Sequence, residues 1–538
     1  MIPSNKKGKT SGDAAASPWN SSKVSFPLRV GAVDVGSNAI RFLIVEFSSP
    51  DKFKVIDSER LKARLGHDVF LTGRLTQHAM DAALTALTSF RDLLKRRDVF
   101  HHRAVTTSAV RESKNGDAFL NRVKRETGLR LEVIAGSEEA RLVYLAAKSR
   151  VLLDQQDWII VDLGGGSVEV SRVNSDGILW SESHTMGSVR LLEELSDSGT
   201  EPGRFRRLLE EYISILRIPV TSGMRPPSGM IATGGSIEQL ARLAGAVPDG
   251  RGLSRISINA LRGVIELLTR HSYHQRIEQF GLREDQADVI LPAAMVYERI
   301  AALTEIEEIT VPYVGVKEGI VLDIVEDLVT HRAHRERQEQ EVVAGAVHLG
   351  RRYMFDEAHA RQVTRLALSI HDQLVALGRV DDEDRLLLLA AALLHDIGGY
   401  ISLKKHHRHS GYIISQSELP NLAPRQMQIV AAVARYHRKG EPSLRHEEYA
   451  RLTQKERRRV NRLAAILRLA DALDREHQKR VSRVFLSEAA NDEIILRLEG
   501  AGDMLLEHWA WQRKAGLFEE VFDCALILQT DKMHPEKP

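Results

Sequence analysis

At 538 residues the chain is long enough for roughly three or four domains, and its charged residues (28%) nearly cancel to a formal net charge of +2. That balance argues against bulk nucleic-acid binding, and no apolar run approaches membrane-spanning length, so neither nucleic acid nor membrane is an expected partner. A single cysteine, Cys524, leaves no disulfide framework and fits a reducing, cytoplasmic compartment.

Residues 1–27 read as a disordered tail, with an organellar transit role as the alternative; they lack the apolar core of a signal peptide. The apolar run Leu28 to Val33 then leads into Asp34-Val35-Gly36-Ser37-Asn38, and a second run, Ile40 to Phe47, follows at once. That is the pattern of strand, glycine turn, strand. Val55 to Leu61 is extended. A helix is expected from Thr76 to Lys95, with Met80, Leu84, Leu87 and Leu94 on its core face. Arg103 to Val110 reads as a strand delivering Ser108 and Arg111 just before a helix near Asn115. An arginine there can fork onto a phosphate or be merely solvated. Leu131 to Ala135 is a short strand, and Gly136-Ser137-Glu138-Glu139-Ala140-Arg141 opens a helix through Ala147. Its two acids either offset the helix dipole or present one carboxylate to a cleft as a general base.

Trp158 to Val173 repeats the first hairpin: an apolar lead-in, then Asp162-Leu163-Gly164-Gly165-Gly166-Ser167, then Val168 to Val173. Asp recurs at the same offset and Ser recurs inside the turn. Two related half-domains with loops facing across a cleft are therefore expected. The glycines let backbone N–H groups close on an anion, and the Asp offers a hard oxygen suited to Mg²⁺. For either loop alone, a plain glycine hairpin is the competing reading. Neither loop supplies the Lys of a Walker loop, and each opens a strand where the dinucleotide fingerprint opens a helix. Ser222 to Ser228 is a Pro/Gly-rich connection. Met230 to Thr233 is a strand ending in Gly234-Gly235-Ser236 ahead of a helix, a further anion seat. Val311 to Gly319 and a helix to about Val329 complete this half, and residues 331–340 form a charged linker helix or hinge.

Residues 341–480 have a helical pattern, with helices expected at Gln362 to Leu377, Asp384 to Leu394, Pro424 to Arg435 and Gln454 to Leu473. His359, His395, Asp396, His406, His407, His409, His437 and Asp471 together suit a divalent metal. His371-Asp372 reads as a surface pair. Residues 481–538 alternate strand-like runs with a helix near Met504 to Phe518, a small α/β appendage.

Residues from Arg29 to Asp327 resemble the Ppx/GppA family of exopolyphosphatases and guanosine pentaphosphate phosphatases. The matching segments are Asp34-Val-Gly-Ser-Asn38 with Arg41, Thr107-Ser-Ala-Val-Arg111 with Asn115, Gly136-Ser-Glu-Glu-Ala-Arg141, Asp162-Leu-Gly-Gly-Gly-Ser167 with Glu169, and Lys317-Glu-Gly319. The resemblance implies an actin-like α/β fold of duplicated ribonuclease-H-like halves, at residues 28–150 and 151–330. The C-terminal region is similar to an HD-type helical domain. There His359, His395, Asp396 and Asp471 stand at its metal positions, and His406-His-Arg-His409 and Tyr436-His-Arg-Lys439 match as well. What this implies is Mg²⁺-dependent release of terminal orthophosphate from inorganic polyphosphate. Glu139 would be the base, with Glu169 close by, and Asp162 with Asp34 would hold Mg²⁺. Substrate would lie on Ser37, Asn38, Arg111, Gly164, Gly165, Gly166, Ser167, Gly234, Gly235 and Ser236. A second divalent metal in the HD-type domain and a homodimer are further expectations. Two alternatives stay open: a guanosine pentaphosphate 5′-phosphohydrolase, and a regulator that senses polyphosphate or alarmone without turnover.

Overall fold

The two apolar hairpins are the seeds of two sheets. In the first, β1 (Leu28–Val35) pairs antiparallel with β2 (Ala39–Ser49), and β2 with β3 (Lys52–Lys62). β4 (His101–Thr106) and β5 (Leu131–Val133) then add in parallel, giving the order β3-β2-β1-β4-β5. The second sheet contains β6 (Trp158–Leu163), β7 (Val168–Val173), β8 (Ile178–His184), β9 (Met230–Thr233), β10 (Ser254–Ser257) and β11 (Glu308–Val311), ordered β10-β11-β9-β6-β7-β8. From β8 inward it repeats the first sheet: three antiparallel strands, then two parallel ones, with β10 as an extra antiparallel edge. The computed structural model describes residues 24–153, 156–196, 204–218, 226–438, 440–489 and 492–530. The predicted tail up to residue 23, part of the 222–228 connection, and Lys439 lie outside the described residues.

Within the two sheets, β8 and the end of β4 differ from the sequence expectation. β8 was not anticipated, because only Trp180 of its seven residues is buried and the run carries no alternating apolar face. The expected strand Arg103 to Val110 stops at Thr106, and Ser108–Glu112 is a short helix closed by Arg111 N–H on Thr107 O at 3.1 Å. Its Thr-rich start mimics a strand, whereas Ala109, Arg111 and Glu112 favour helix.

The sheets meet through two helices, Gly136–Lys148 and Val316–Val329. Their Leu142, Val143, Ile320 and Val321 share one core with Val30 and Val45 of the first sheet and Ile160 and Ile231 of the second. The helices cross so closely that a Cβ on Gly319 would lie 2.0 Å from Leu142 O, which accounts for the glycine of Lys317-Glu318-Gly319. Beside this crossing sits a buried ion network. Arg141, 1% exposed, donates from Nε to Glu138 at 2.7 Å and from Nη1 to Asp323 at 2.9 Å, and Arg103 reaches both acids at 3.1 and 3.3 Å.

Residues His331–Arg352 form one continuous helix leading into the helical region. There the helices Glu357–Ala376, Arg385–Leu394, His406–Ser415, Pro424–Arg435 and Gln454–Ala472 pack together. Starts are well marked: Pro424 takes the first turn of its helix, and Thr453 with Glu456 forms a reciprocal cap. The strands β12 (Val481–Ala489), β13 (Glu493–Gly500) and β14 (Ala525–Thr530) do not stand apart as an appendage. Val481, Leu496 and Phe518 are in the same core as Leu366, Leu393 and Leu467. His371, expected at the surface, is fully buried, and only its neighbour Asp372 faces out, paired with Arg385 at 2.8 Å. Among the described residues no helix is long and apolar enough to cross a membrane.

Replacing Arg141 by Met should cost about 3–5 kcal/mol and lower the thermal midpoint, since two acids lose a buried partner. Although burial opposes it, Arg141 holds the Asp323 carboxyl down to about 2 from an ordinary 3.8. A depressed carboxyl stabilises above its unfolded value and loses that contribution as pH falls through the folded one. The gap between the wild type and Arg141→Met should therefore hold at neutral pH and narrow below about pH 4 in thermal melts.

A carboxylate triad in the candidate active site

The two duplicated hairpins place side chains by register. On β1 and β2 Asp34 stands opposite Arg41; on β6 and β7 Asp162 stands opposite Glu169. Each turn is closed in the same way, by Gly36 N–H on Ala39 O at 3.1 Å and by Gly164 N–H on Ser167 O at 3.0 Å. The first hairpin thus pairs its Asp with a cation, Arg41 Nη1 lying 3.0 Å from Asp34 Oδ2. The second pairs its Asp with another carboxylate, an arrangement that is destabilising across strands unless something compensates.

A third acid joins that pair. Glu139, in the first turn of Gly136–Lys148, comes within 4.8 Å of Asp162 and Glu169, carboxylate oxygen to carboxylate oxygen, and all three residues are buried. Asp162 accepts from Thr233 Oγ1 at 2.5 Å, and Glu169 accepts from Ser183 Oγ at 2.8 Å. Glu139 Oε2 and Glu169 Oε2 are buried without a hydrogen-bond partner. Burial, then the charges of Glu169 and Asp162, push the Glu139 carboxyl well above its usual range. Burial and Asp162 push Glu169 up to about 8. Burial also raises Asp162, against the opposing pull of Thr233 and Arg41. Three hard oxygen donors with unsatisfied lone pairs and mutual repulsion fit a divalent cation such as Mg²⁺.

The glycine loops touch. A Cβ on Gly165 would lie 3.0 Å from Ser37 Cβ, and Ser37 Oγ is 3.0 Å from Ser108 Oγ. Between the halves a cavity of about 310 Å³ is lined by Asp34, Ser37, Asn38, Gly164, Gly165, Ser167, Gly234, Gly235 and Ser236, with Glu139 and Asp162 in its wall. Gly234 has φ +103, a conformation that glycine adopts at little cost. Four residues expected to hold substrate or metal are placed differently. Gly166 packs into the wall against Ser108 and Phe70, where a Cβ would lie 2.3 Å from Ser108 Oγ. Arg111 donates from Nη1 to Ile134 O at 2.7 Å and lines a neighbouring cavity with Ser137 and His184. Asp34 is engaged by Arg41 and is not part of the triad. The Gly164 amide closes its own turn and is not offered to an anion. Asn38 lines the cavity while its Nδ2 donates to Asp285 O at 2.9 Å.

Sequence reasoning gave no role to the cations in the same wall, Arg41, Arg60, Arg283 and Lys317. Arg41 carried a usable signal: it follows Asp34 at the offset by which Glu169 follows Asp162. In the helical region, His359, His395 and Asp471 form one ligand-type group, whereas Asp396 groups with His406 and His437. Asp396 stands between the two groups, its Oδ2 3.7 Å from His395 Nε2.

The family description Ppx/GppA phosphatase matches residues 44–328, and domain III of the Ppx/GppA phosphatases matches residues 343–511. An exopolyphosphatase 1 of Mycobacterium leprae is 30% identical over 304 residues, 55% of this chain and 89% of the relative. Its counterpart in Mycobacterium tuberculosis is 29% identical over 303 residues, 55% and 88% of the two chains. The crystal structure of an exopolyphosphatase from Cytophaga hutchinsonii superposes with a TM-score of 0.51 at 27% identity, covering 55% of this chain and 98% of that one.

The triad's repulsion has a measurable consequence. A carboxyl raised by the fold destabilises it increasingly as pH climbs from the unfolded to the folded value, here from 4.5 to about 8 for Glu169. In chelator, Glu169→Gln should therefore match the wild-type thermal midpoint near about pH 5 and exceed it near about pH 8. With Mg²⁺ added, the wild type should gain more than the variant. A metal-free variant that melts below the wild type at the higher pH would show that the triad is not strained.

Proposed function

The chain belongs to the Ppx/GppA phosphatase family, and from that premise we propose that it is an exopolyphosphatase, a divalent-cation-dependent hydrolase releasing terminal orthophosphate from inorganic polyphosphate. The observation that carries the reading is the buried triad Glu139, Asp162 and Glu169, with two unpartnered oxygens, of which Glu139 and Asp162 stand in the wall of the cavity between the glycine loops.

The lining explains why a cation belongs in the reaction. Four cationic side chains, Arg41, Arg60, Arg283 and Lys317, face six carboxylates: Asp34, Glu59, Glu139, Asp162, Glu238 and Glu318. Such a wall does not attract a polyanion unaided. A divalent ion held by Asp162 and Glu169 would reverse the local sign and offset charge developing on the transferred phosphoryl group. The chain's own residues do the rest. Ser37, Asn38, Ser167, Gly235 and Ser236 position the terminal phosphate, with the Arg41 guanidinium in the same wall. Glu139 holds the attacking water through Oε2 and takes its proton. Among the three acids Glu139 suits this role because Thr233 already fixes Asp162, and Ser183 fixes Glu169.

The lining also bears on the choice of substrate. Among the described residues Tyr313 is the one aromatic side chain lining it, and its hydroxyl is tied to Ser254 at 2.9 Å. A wall so poor in rings favours an inorganic chain over a guanine nucleotide, for which stacking surface counts. Parallel assays of orthophosphate release from long polyphosphate and from guanosine pentaphosphate test this: preference for the nucleotide would replace the proposed substrate, and no release from either would leave a binding role.

Glu139→Gln should not lower the thermal midpoint in chelator, since it relieves the same repulsion as Glu169→Gln, and should still bind the divalent ion through Asp162 and Glu169, while turnover falls about 10²- to 10⁴-fold because Gln cannot accept the proton. Glu138→Gln should act differently. It removes a charge from the Arg141 network, so stability falls first and the rate of the folded fraction much less. Normal turnover by Glu139→Gln would move the base elsewhere, with Glu169 the next candidate.

A further inference from the structure

The helix that carries Glu139 starts without a cap of its own. Ala135 stands at the cap position and has no side-chain oxygen, and the first intrahelical bond is Glu139 N–H on Ala135 O at 3.0 Å. The N–H groups of Gly136, Ser137 and Glu138 therefore have no acceptor within the helix. One of them is served from the helical region. Ser137 N–H donates to Glu418 Oε2 at 3.1 Å, across 281 positions of sequence. That is the bond an Asp or Ser at the cap would ordinarily make. From the same loop, Asn421 N–H donates to Glu138 Oε2 at 3.2 Å, so backbone and side chain of the first turn are both held.

The loop is fixed on its far side. Leu419 is 1% exposed and belongs to the core of the helical region. Leu419 and Pro420 lie so close to Gly345 of His331–Arg352 that a Cβ there would be 3.2 and 3.0 Å from them. Asn421 Nδ2 reaches Glu341 Oε2 on that helix at 2.7 Å. Asn421 also has φ +61, a left-handed conformation that Asn tolerates better than most residues. Backbone of this kind persists where its surroundings over-determine it. Glu418 alone of this loop's anchors is exposed, and among the described residues it forms the bond to Ser137 and no ion pair. Burial thus gives no account of its position, whereas the uncapped helix does.

The rest of the Glu139 helix is secured elsewhere, by the crossing at Gly319 and by the Arg141 network. Its first turn is the part that depends on the loop, and Glu139 stands at the end of that turn. A general base works only within hydrogen-bond reach of its proton, so a small displacement of the turn is felt in the rate. Resting on the reading of Glu139 as the base of an exopolyphosphatase, we propose that Glu418 is a positioning residue for it. With Asn421 it supplies the missing cap from a region none of whose described residues lines the cleft.

The full-length chain with Mg²⁺ and long polyphosphate tests this through kcat and KM of Glu418→Ala, Glu418→Gln, Glu139→Gln and the double variant Glu139→Gln/Glu418→Ala. Amide hydrogen exchange at Ser137 is followed in the same proteins, and thermal melts check folding. Glu418→Ala should lose about 3- to 30-fold in kcat at unchanged KM, and Ser137 N–H should exchange faster. Glu418→Gln keeps an acceptor oxygen and should recover most of both. On Glu139→Gln, the alanine should add no further loss, because it acts through the base already removed. Wild-type kcat in Glu418→Ala, a loss confined to KM, or a loss repeated in full on Glu139→Gln would each overturn the proposal. Failure of the underlying reading has another signature: normal turnover by Glu139→Gln, or no orthophosphate released by the wild type. The exchange data decide the cap even then, since unchanged protection of Ser137 in Glu418→Ala would overturn it.

Discussion

The constraint on which the N-terminal two-thirds of the molecule depends is the like-charge pair Asp162 and Glu169, held face to face by strand register. Every residue of β7 and all but the first of β6 are buried, so a slip of one residue would drive apolar side chains out of two cores and cannot relieve the repulsion. The pair is locked in place by packing energy spread over both sheets. Thr233 and Ser183 each hold one of the two carboxylates by a hydrogen bond, and Gly136 gives the Glu139 helix the close approach it needs, since a Cβ there would lie 2.7 Å from Ser183. The fold therefore supplies repulsion and unsatisfied oxygens, and a cation is the economical way to relieve both.

Glu138 and Glu139 show how the helix start serves two purposes. Adjacent helical side chains point about 100° apart, and here they face different surroundings. Glu139 turns to the cleft. Glu138 enters the network of Arg141, Arg103 and Asp323, and its Oε2 also accepts from Asn421 N–H at 3.2 Å. Glu418 accepts the neighbouring Ser137 N–H at 3.1 Å. The helical region thus grips the first turn of the helix that carries the candidate base. A shift of that region would act on Glu139 through the Ser137 backbone two residues away and the Glu138 side chain next to it, while the crossing at Gly319 holds the helix body.

The duplicated hairpins were legible because glycine turns after apolar runs leave a strong local pattern, and Asp at one offset marks a shared register. The helix Pro424–Arg435 matched to the residue because Pro424 and the apolar spacing both declare it. What failed lacked such local marks. β8 is held by pairing with β7, a non-local cause invisible in its own polar sequence. His371 looked like a surface residue because burial depends on which helix face meets the core. The separate appendage was inferred from a switch in periodicity, yet the core crosses that boundary without a break. Within the site, Glu139, Asp162 and Glu169 were named from sequence. The pairing of Asp34 with Arg41 was not read, because the cross-strand partner, seven residues on, was not considered.

That partner gives the cleft its polarity. Two hairpins of one design face each other, but Arg41 in the first replaces what Glu169 is in the second. Asp34 and Arg41 cancel locally, which leaves Arg41 held in place yet able to lean across the cleft: a Cβ on Gly235 would lie 3.7 Å from its Nη2. The second hairpin cancels nothing and concentrates negative charge. In the proposed reaction the first half thus supplies a fixed cation beside the Gly234-Gly235-Ser236 seat, and the second supplies the ligands for a mobile one. A terminal phosphate between them would meet positive charge from two directions, while Glu139 approaches from the wall they share. Divergence at a single cross-strand position is enough to turn a symmetric pair of loops into a site with a phosphate side and a metal side.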